Sequence, residues 1–303
     1  MFMRYVATLI ANPAKAKLDN TILTAARGTL AAAGANPGMP AILAPGIAAD
    51  LPFDGLAPED AAGWLRDGLS GERIDVITQE AATRRKSLLV SDMESTIIDN
   101  EMLDELAEMR GLADRVAPIT ARAMNGEIDF RQALTERVGL LAGLTTDQLD
   151  EAYAKVRVKP GARALVRTMR AHGGYAALVS GGFRVFTARV REAVGFNEDV
   201  ANDLAMKGSQ MTGRLADGPI IDATGKREAL FRLLRQRKLP REASLAVGDG
   251  ANDIPMLQSA GLGVAFRPRP KVAAVIPQRL DYADLTALLY AQGYAAKDIA
   301  PDS

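Results

Sequence analysis

The chain is 303 residues long, carries 37 Lys and Arg against 37 Asp and Glu, and has no cysteine and one histidine. That length is enough for two domains, and the balanced charge gives no electrostatic reason to expect nucleic acid or an anionic membrane as a partner. The absence of cysteine excludes disulfides and thiolate catalysis, and a single histidine leaves almost nothing for a Ser-His-Asp triad or a multi-His metal site. Any chemistry must therefore use carboxylates, Lys, Arg, Ser and Thr.

Residues 1–85 are predicted to form a small α+β domain. The pattern predicts strands at 5–11, 41–44 and 74–78, a helix at 18–33, a short helix near 64–69, and an irregular proline-containing stretch at 45–58. This outline is similar to small ligand-sensing modules of the ACT type, and no motif in it carries chemistry. We expect an accessory domain through which the chain can form a homo-oligomer.

No membrane partner is expected, because no stretch approaches the roughly 18 apolar residues that a membrane span requires. The apolar run at the N-terminus is short and continues into an ordinary helix pattern, so we do not expect a secretory signal. The sequence therefore predicts a cytoplasmic protein.

Three short apolar runs beyond the N-terminal domain each end in a polar turn. They lie at 88–90, 175–179 and 243–247, and a fourth candidate strand lies at 262–266. Helical patterns such as 162–170 and 226–236 alternate with them, which predicts an α/β fold with a parallel, Rossmann-like sheet. Since ligands bind beyond the carboxyl ends of such strands, we expect the polar residues there to meet in one crevice.

Residues 102–158 interrupt this alternation with four helical patterns, at 102–110, 116–125, 130–142 and 146–155. An insert of this size directly after the first strand would lie over the crevice as a helical cap. Residues 86–303 are therefore predicted to form one catalytic domain that carries a cap at about 102–158.

Two carboxylates, Asp92 and Glu94, follow the first of these strands on a turn. A carboxylate can attack phosphorus and form an acyl phosphate, but it repels a phosphate monoester unless a divalent cation bridges the two. Oxygen ligands favour Mg²⁺. The candidate metal ligands are Asp92 and Asp249, with Asp253 in support and the carbonyl of Glu94 as a further ligand.

The other polar residues at the strand ends suit the handling of a phosphate group. Glu94 can protonate a leaving alkoxide and later accept a proton from water. Ser180, with the amides of Gly181 and Gly182, can hold phosphate oxygens, and Lys226 adds a point charge. Asn252 can contribute a side-chain amide.

The order of these motifs resembles that of the haloacid dehalogenase-like superfamily, whose fold is a Rossmann-like sheet with an inserted cap. Within the superfamily, the closest likeness is to the phosphoserine phosphatase family, over roughly residues 87–290. Residues 92–101 read Asp-Met-Glu-Ser-Thr-Ile-Ile-Asp-Asn-Glu and resemble the first motif of that family. Residues 124–138 are similar to its cap segment, and 180–183 and 248–253 complete the set.

The resemblance implies a role for each matching residue. Asp92 would be the nucleophile and Glu94 the general acid and base, while Glu101 would hold the substrate ammonium and Arg137 its carboxylate. Phe130 would help close the lid. The implied activity is Mg²⁺-dependent hydrolysis of O-phosphoserine to serine and phosphate through a phosphoaspartyl intermediate, the last step of serine biosynthesis.

One departure from the family leaves alternatives open, because Glu94 stands where the family usually has Asp. The extra methylene moves the acid by about 1 Å unless the backbone adjusts, and such a shift can cost roughly 10²-fold in rate. Some related phosphotransferases carry the same Asp-x-Glu and pass phosphate from phosphoserine to homoserine. The alternatives are such a phosphotransferase, a hydrolase of another small phosphate ester, or a non-catalytic amino-acid sensor.

Overall fold

The computed structural model describes residues 3–124 and 127–303. It confirms the predicted fold class, since a parallel sheet flanked by helices carries a helical cap, and a separate antiparallel sheet forms the N-terminal α+β domain. Within the described residues, every helix is too short or too polar to cross a membrane.

The N-terminal domain is built on a five-stranded sheet. Its elements are, in chain order, β1 (Tyr5–Ala11), α1 (Asn20–Ala32), β2 (Asn36–Pro37), β3 (Ala41–Ala44), β4 (Ala48–Asp54), α2 (Pro58–Gly68) and β5 (Ile74–Glu80). β1 pairs with β4 and β5, and β4 pairs with β2 and β3, all antiparallel. Alternate side chains of β1 face opposite ways, so Leu9 packs under the two helices while Ile10 joins the core of the catalytic domain.

The catalytic domain contains a six-stranded parallel sheet in the order β13-β12-β11-β6-β7-β8. The elements from residue 88 onward are, in chain order, β6 (Leu88–Ser91), α3 (Met102–Met109), α4 (Ala113–Met124), α5 (Phe130–Leu140), α6 (Thr146–Ala154), α7 (Ala162–Ala171), β7 (Tyr175–Phe183), α8 (Arg184–Val194), β8 (Glu198–Asn202), β9 (Leu204–Lys207), β10 (Gln210–Leu215), α9 (Ala223–Arg237), β11 (Ser244–Gly248), α10 (Ile254–Ser259), β12 (Leu262–Phe266), α11 (Pro270–Ala273), β13 (Arg279–Leu280) and α12 (Ala287–Ala291). β6 lies in the interior between β11 and β7, so the first acidic motif leaves the sheet near its middle.

The cap consists of α3 to α6 and a β-hairpin that the sequence did not predict. The hairpin, β9 and β10, leaves the core after β8 and packs against α5. Gly143 N–H donates to the carbonyl of Met211 at 2.8 Å, and Met211 N–H donates to the carbonyl of Leu144 at 2.8 Å. The cap is therefore built from two separate insertions into the core, one after β6 and one after β8.

Two local predictions were wrong. The stretch predicted to be irregular contains β4, a largely buried strand in which Pro52 still uses its carbonyl to accept from Gly38 N–H at 2.8 Å. Ser180 to Gly182 are not a turn, because β7 continues through Phe183 past an irregularity in its pairing with β8. There the side-chain amide of Asn202 donates to the carbonyl of Gly181 at 2.8 Å and replaces backbone pairing.

Candidate active site

The carboxyl ends of β6, β7 and β11 meet at one edge of the parallel sheet, as predicted. Asp92 follows β6 directly, and its N–H donates to the carbonyl of Val247 in β11 at 3.0 Å. Asp249 is the first residue after β11. These two carboxylates, separated by 157 positions in the chain, therefore lie at the same place because their strands are neighbours.

Lys226 lies at the centre of the acidic groups. Its Nζ is 2.7 Å from Asp92 Oδ1 and 2.7 Å from Asp253 Oδ1, and all three side chains are almost fully buried. The helix that carries it begins at Ala223, earlier than predicted, with Asp222 as the N-cap. Burial by itself would lower the pKa of Lys226, but the carboxylates of Asp253 and Asp92 raise it above the usual value. Lys226 thus holds a fixed positive charge.

Three carboxylates at this edge offer a site for a cation. One oxygen each from Asp92, Asp249 and Asp253 lies within 4.8 Å of the others. Burial, followed by repulsion from Asp253, raises the pKa of Asp92 well above its usual value and that of Asp249 to about 6. The Thr96 hydroxyl donates to Asp249 Oδ1 at 3.1 Å. Because a divalent cation would relieve this repulsion and the donors are all oxygens, the residues fit such an ion.

Glu94 accepts a backbone hydrogen bond at one oxygen and faces Gly182 with the other. Its Oε1 accepts from the N–H of Met102, at the start of α3, at 2.8 Å. Its Oε2 lies against Gly182, where a Cβ would approach to 2.9 Å. Burial and, after it, the charge of Glu101 raise the pKa of Glu94 to about 7. A carboxyl group with such a pKa can give and take a proton near neutral pH.

The cap contributes groups of both charges to the same space. Ser95 Oγ donates to Glu101 Oε1 at 2.7 Å, which fixes that carboxylate at the start of α3. Arg137 lies on α5, where burial lowers its pKa while the nearby carboxylates of Asp104, Glu94 and Glu101 favour its charged form. An acidic and a basic group therefore stand close together in the cap, as a zwitterionic ligand requires.

One cavity of about 640 Å³ joins the core and cap groups. Ten of the twelve predicted site residues line it: Asp92, Glu94, Glu101, Phe130, Arg137, Gly181, Gly182, Lys226, Asp249 and Asn252. The other two are buried behind this lining. Asp253 is fully buried against Lys226, and Ser180 accepts a hydrogen bond from Gly182 N–H through its Oγ at 2.9 Å.

Several polar lining residues were missed by the sequence reasoning: Asp104, Thr120, Arg269 and Lys271. Asp104 has a recognisable signal, since it follows Glu101, the N-cap of α3, by three residues and therefore lies on the same side of the helix start. Arg269 and Lys271 lie beyond β12, another strand end that the same logic covers. Of the cap segment 124–138 that resembles the family, Asn125 and Gly126 lie outside the described residues.

Comparison with known proteins agrees with this geometry. Residues 89–258 match the family model for haloacid dehalogenase-like hydrolases, which covers more than half of the chain. The sheet, the inserted cap and the acidic strand ends thus define a hydrolase of this superfamily.

Two relatives and one solved structure show to which family of this superfamily the chain belongs. The chain is 34% identical to a phosphoserine phosphatase of Streptomyces coelicolor over 98% of its own length and 72% of that protein. It is 40% identical to a phosphoserine phosphatase of Archaeoglobus fulgidus over 71% of its own length, and the match spans only 63% of that relative. A solved phospho-aspartyl intermediate analogue of phosphoserine phosphatase, 32% identical, matches with a TM-score of 0.63 over 68% of this chain and 98% of that one. The chain belongs to the phosphoserine phosphatase family.

Proposed function

We propose that this chain hydrolyses O-phosphoserine to serine and phosphate, with Asp92 as the phosphoryl acceptor. The observation that carries the proposal is the single cavity in which Asp92 and Lys226 of the core face Glu101 and Arg137 of the cap. One end of the cavity suits a phosphate and the other suits a free amino acid. The family relationship and the solved phospho-aspartyl analogue support the same chemistry.

In the first half of the reaction, an Asp92 carboxylate oxygen attacks phosphorus and the bond from phosphorus to the serine oxygen breaks. Glu94, which is partly protonated near neutral pH, gives its proton to the departing alkoxide, so that neutral serine leaves. Lys226 holds one oxygen of Asp92 at 2.7 Å and thereby orients the other for attack.

In the second half, water attacks phosphorus and the acyl phosphate bond to Asp92 breaks. Glu94, now ionised, takes a proton from that water and returns to its starting state. Inorganic phosphate leaves, and the Asp92 carboxylate is regenerated. The amides of Gly181 and Gly182 lie on the cavity wall, where they can donate to phosphoryl oxygens in both halves.

Substrate selection is assigned to the cap. Glu101 binds the ammonium group, and Arg137 binds the carboxylate with its planar fork of donors. Phe130 lines the cavity near Gly181, where its ring lies 3.2 Å from a Cβ built on that glycine. An ester that lacks either charged group would leave Glu101 or the half-buried Arg137 without its ion pair, which is how the site would discriminate against it.

Mg²⁺ is proposed as the cation, held by Asp92, Asp249 and Asp253, with the carbonyl of Glu94 as a further ligand. When bound, it would neutralise charge between the carboxylates and the phosphate and polarise the phosphoryl oxygens. Oxygen-only ligands favour this ion over softer metals that prefer nitrogen or sulfur.

For the domain organisation of the chain, we keep the bounds that the sequence predicts. We propose that residues 1–85 form an accessory domain, that residues 86–303 form the phosphatase, and that the cap extends over about 102–158. Self-association through the N-terminal domain and a cytoplasmic location stay predictions, as does the expectation of no nucleic-acid or membrane partner.

Phosphate release from O-phosphoserine by the purified protein, with and without Mg²⁺, tests the proposal. We expect Mg²⁺-dependent release of one phosphate per serine, and no turnover would refute it. Added homoserine separates hydrolysis from phosphotransfer, because a transferase would form phosphohomoserine in place of free phosphate. Binding of phosphoserine without turnover would instead favour the sensor alternative.

A further inference from the structure

The two chain segments that join the helical cap to the core contact each other beside the site. These segments, residues 97–100 and 157–161, are called the cap linkers below. Lys159 N–H donates to the carbonyl of Ile97 at 2.8 Å, so the linkers are tied together by backbone hydrogen bonding. The first linker leads directly into Glu101. The position of the ammonium-binding group therefore depends on how the linker pair is held.

The second cap linker is held from outside by residues 281–286, a segment near the end of the chain. Leu285 N–H donates to the carbonyl of Pro160 at 3.2 Å. Gly161 has φ +82°, and a Cβ on it would lie 2.4 Å from the backbone nitrogen of Thr286. The linker thus lies so close to this segment that a displacement of residues 281–286 must be felt at Pro160 and Gly161.

The same segment is held on its other side by Asp75 of the N-terminal domain. Asp75 is 3% exposed, and its carboxylate accepts from the N–H groups of Asp281 at 2.7 Å, Tyr282 at 3.1 Å and Ala283 at 2.7 Å. A buried carboxylate is tolerated only when such donors replace its water. The contact therefore fixes the segment in place, immediately before the residues that hold the cap linker.

We propose that Asp75 is a positioning residue for the cap, acting through residues 281–286 and the cap linkers. This role of Asp75 rests on the proposed function, because it assumes that the cap binds the amino-acid part of O-phosphoserine. The Asp92–Lys226 pair belongs to the core and does not depend on this path, whereas Glu94 is anchored on the N–H of Met102, directly after Glu101, and can shift with it. Loss of the Asp75 carboxylate should therefore weaken recognition of the amino-acid part of the substrate more than it slows phosphoryl transfer. The N-terminal domain would in this way set the affinity of the site without contacting it.

The substitution Asp75→Asn tests this with two substrates. O-phosphoserine uses the cap groups, whereas p-nitrophenyl phosphate has neither an ammonium nor a carboxylate group. We expect the KM for O-phosphoserine to rise about fivefold or more, as is typical of coupling between distant sites. The KM for p-nitrophenyl phosphate should stay unchanged, and any fall in kcat should be smaller than the rise in KM for O-phosphoserine.

A matched control is Gln278→Met, which also breaks buried contacts between the two domains. Gln278 accepts from Thr78 N–H at 2.9 Å and donates to Thr78 Oγ1 at 3.0 Å, but it precedes the segment that holds the linker. We expect it to lower the thermal unfolding temperature without changing the KM for O-phosphoserine. Equal changes in KM for the two variants would overturn the proposal, because Asp75 would then be only a domain contact.

Two further measurements support the test. A second variant does not depend on the folding of Asp75→Asn, and hydrogen exchange does not depend on the substrate. Asp284 Oδ1 accepts from Thr286 N–H at 2.9 Å, so Asp284→Ala should raise the KM in the same direction, and the double variant should show less than the product of the two effects. Hydrogen exchange at the amides of 157–159 and 161 should quicken in Asp75→Asn and not in Gln278→Met. Unchanged exchange there refutes the positioning role, whereas failure of the wild-type protein to hydrolyse O-phosphoserine refutes only the proposed function.

Discussion

Glu94 Oε1 accepts a hydrogen bond from the backbone N–H of Met102 at 2.8 Å. This contact explains how a glutamate is accommodated where the family usually has aspartate, because the longer side chain is anchored at the start of α3. The space for its second oxygen exists because residue 182 is glycine. Glu94 and Gly182 thus form a matched pair, and the extra methylene need not displace the acid from the substrate.

The matched pair predicts a specific pattern of mutant rates. Gly182→Ala places a Cβ 2.9 Å from Glu94 Oε2 and should lower kcat by roughly 10²-fold, since it displaces the acid. Glu94→Asp withdraws the side chain, so the double variant should be no slower than Glu94→Asp alone. Steady-state assays of phosphate release measure this. A double variant as slow as the product of the single effects would show that the two residues act independently.

Arg137 is expected to set the preference for a carboxylate in the substrate. Arg137→Ala should raise the KM for O-phosphoserine by roughly 30-fold, which corresponds to losing a charged hydrogen bond worth ~2 kcal/mol. O-phosphoethanolamine has the ammonium group but no carboxylate, so its KM should not change. Arg131, on the same helix and 57% exposed, gives the control Arg131→Ala, which should leave both values unchanged. Equal losses for the two substrates would contradict the assignment.

The acidic cluster predicts a metal requirement that one substitution should weaken. Chelation should abolish turnover, and added Mg²⁺ should restore it. Asp249→Asn removes one charged ligand, so the Mg²⁺ concentration for half-maximal activity should rise about tenfold or more. Asp104→Asn is the control, because Asp104 lines the cavity outside the cluster and should not alter that concentration. Full activity in the presence of chelator would refute the metal site.

Asp75 predicts a pH-dependent contribution to stability. Burial raises its pKa to about 6, although three backbone N–H groups oppose the shift; Arg66 and Asp281 are the charged neighbours. The folded protein therefore binds this proton more tightly than the unfolded chain. Protonation of Asp75 therefore adds on the order of 3 kcal/mol to the free energy of unfolding below pH 4. This contribution is lost as the pH rises through about 6. Between pH 4.5 and 7.5, urea unfolding should show a loss of stability that is about 2 kcal/mol larger for the wild type than for Asp75→Asn, because Asp92, Asp249 and Glu94 also have raised pKa values and contribute equally in both proteins. Parallel curves would contradict it.

The sequence predicted the convergence of the strand ends because the signal is local. A short apolar run followed by Asp92 or Asp249 marks the end of a buried parallel strand, and parallel strand ends must converge. The four cap helices also followed from helical spacing. The pairing of Glu94 with Gly182 was not predictable, since the two residues are 88 positions apart and only the packing of β6 beside β7 brings them together.

Other features lacked any local signal. β4 contains Pro52, which is rare inside strands, and its burial on most positions removes the alternation that usually reveals a strand. The short cap hairpin, β9 and β10, has mostly half-buried or exposed residues. The contact of Asp75 with residues 281–283 joins positions more than 200 residues apart, so only the folded chain reveals it.

The central claim is that Asp92 carries the phosphoryl group. The most direct measurement is acid quenching of the protein during turnover of radiolabelled O-phosphoserine, followed by peptide mapping. We predict an alkali-labile label on the peptide that contains Asp92, and its absence in Asp92→Asn, in which turnover should fall by at least about 10³-fold. Label on another peptide, or phosphate release with no labelled protein while Asp92→Asn stays active, would contradict it.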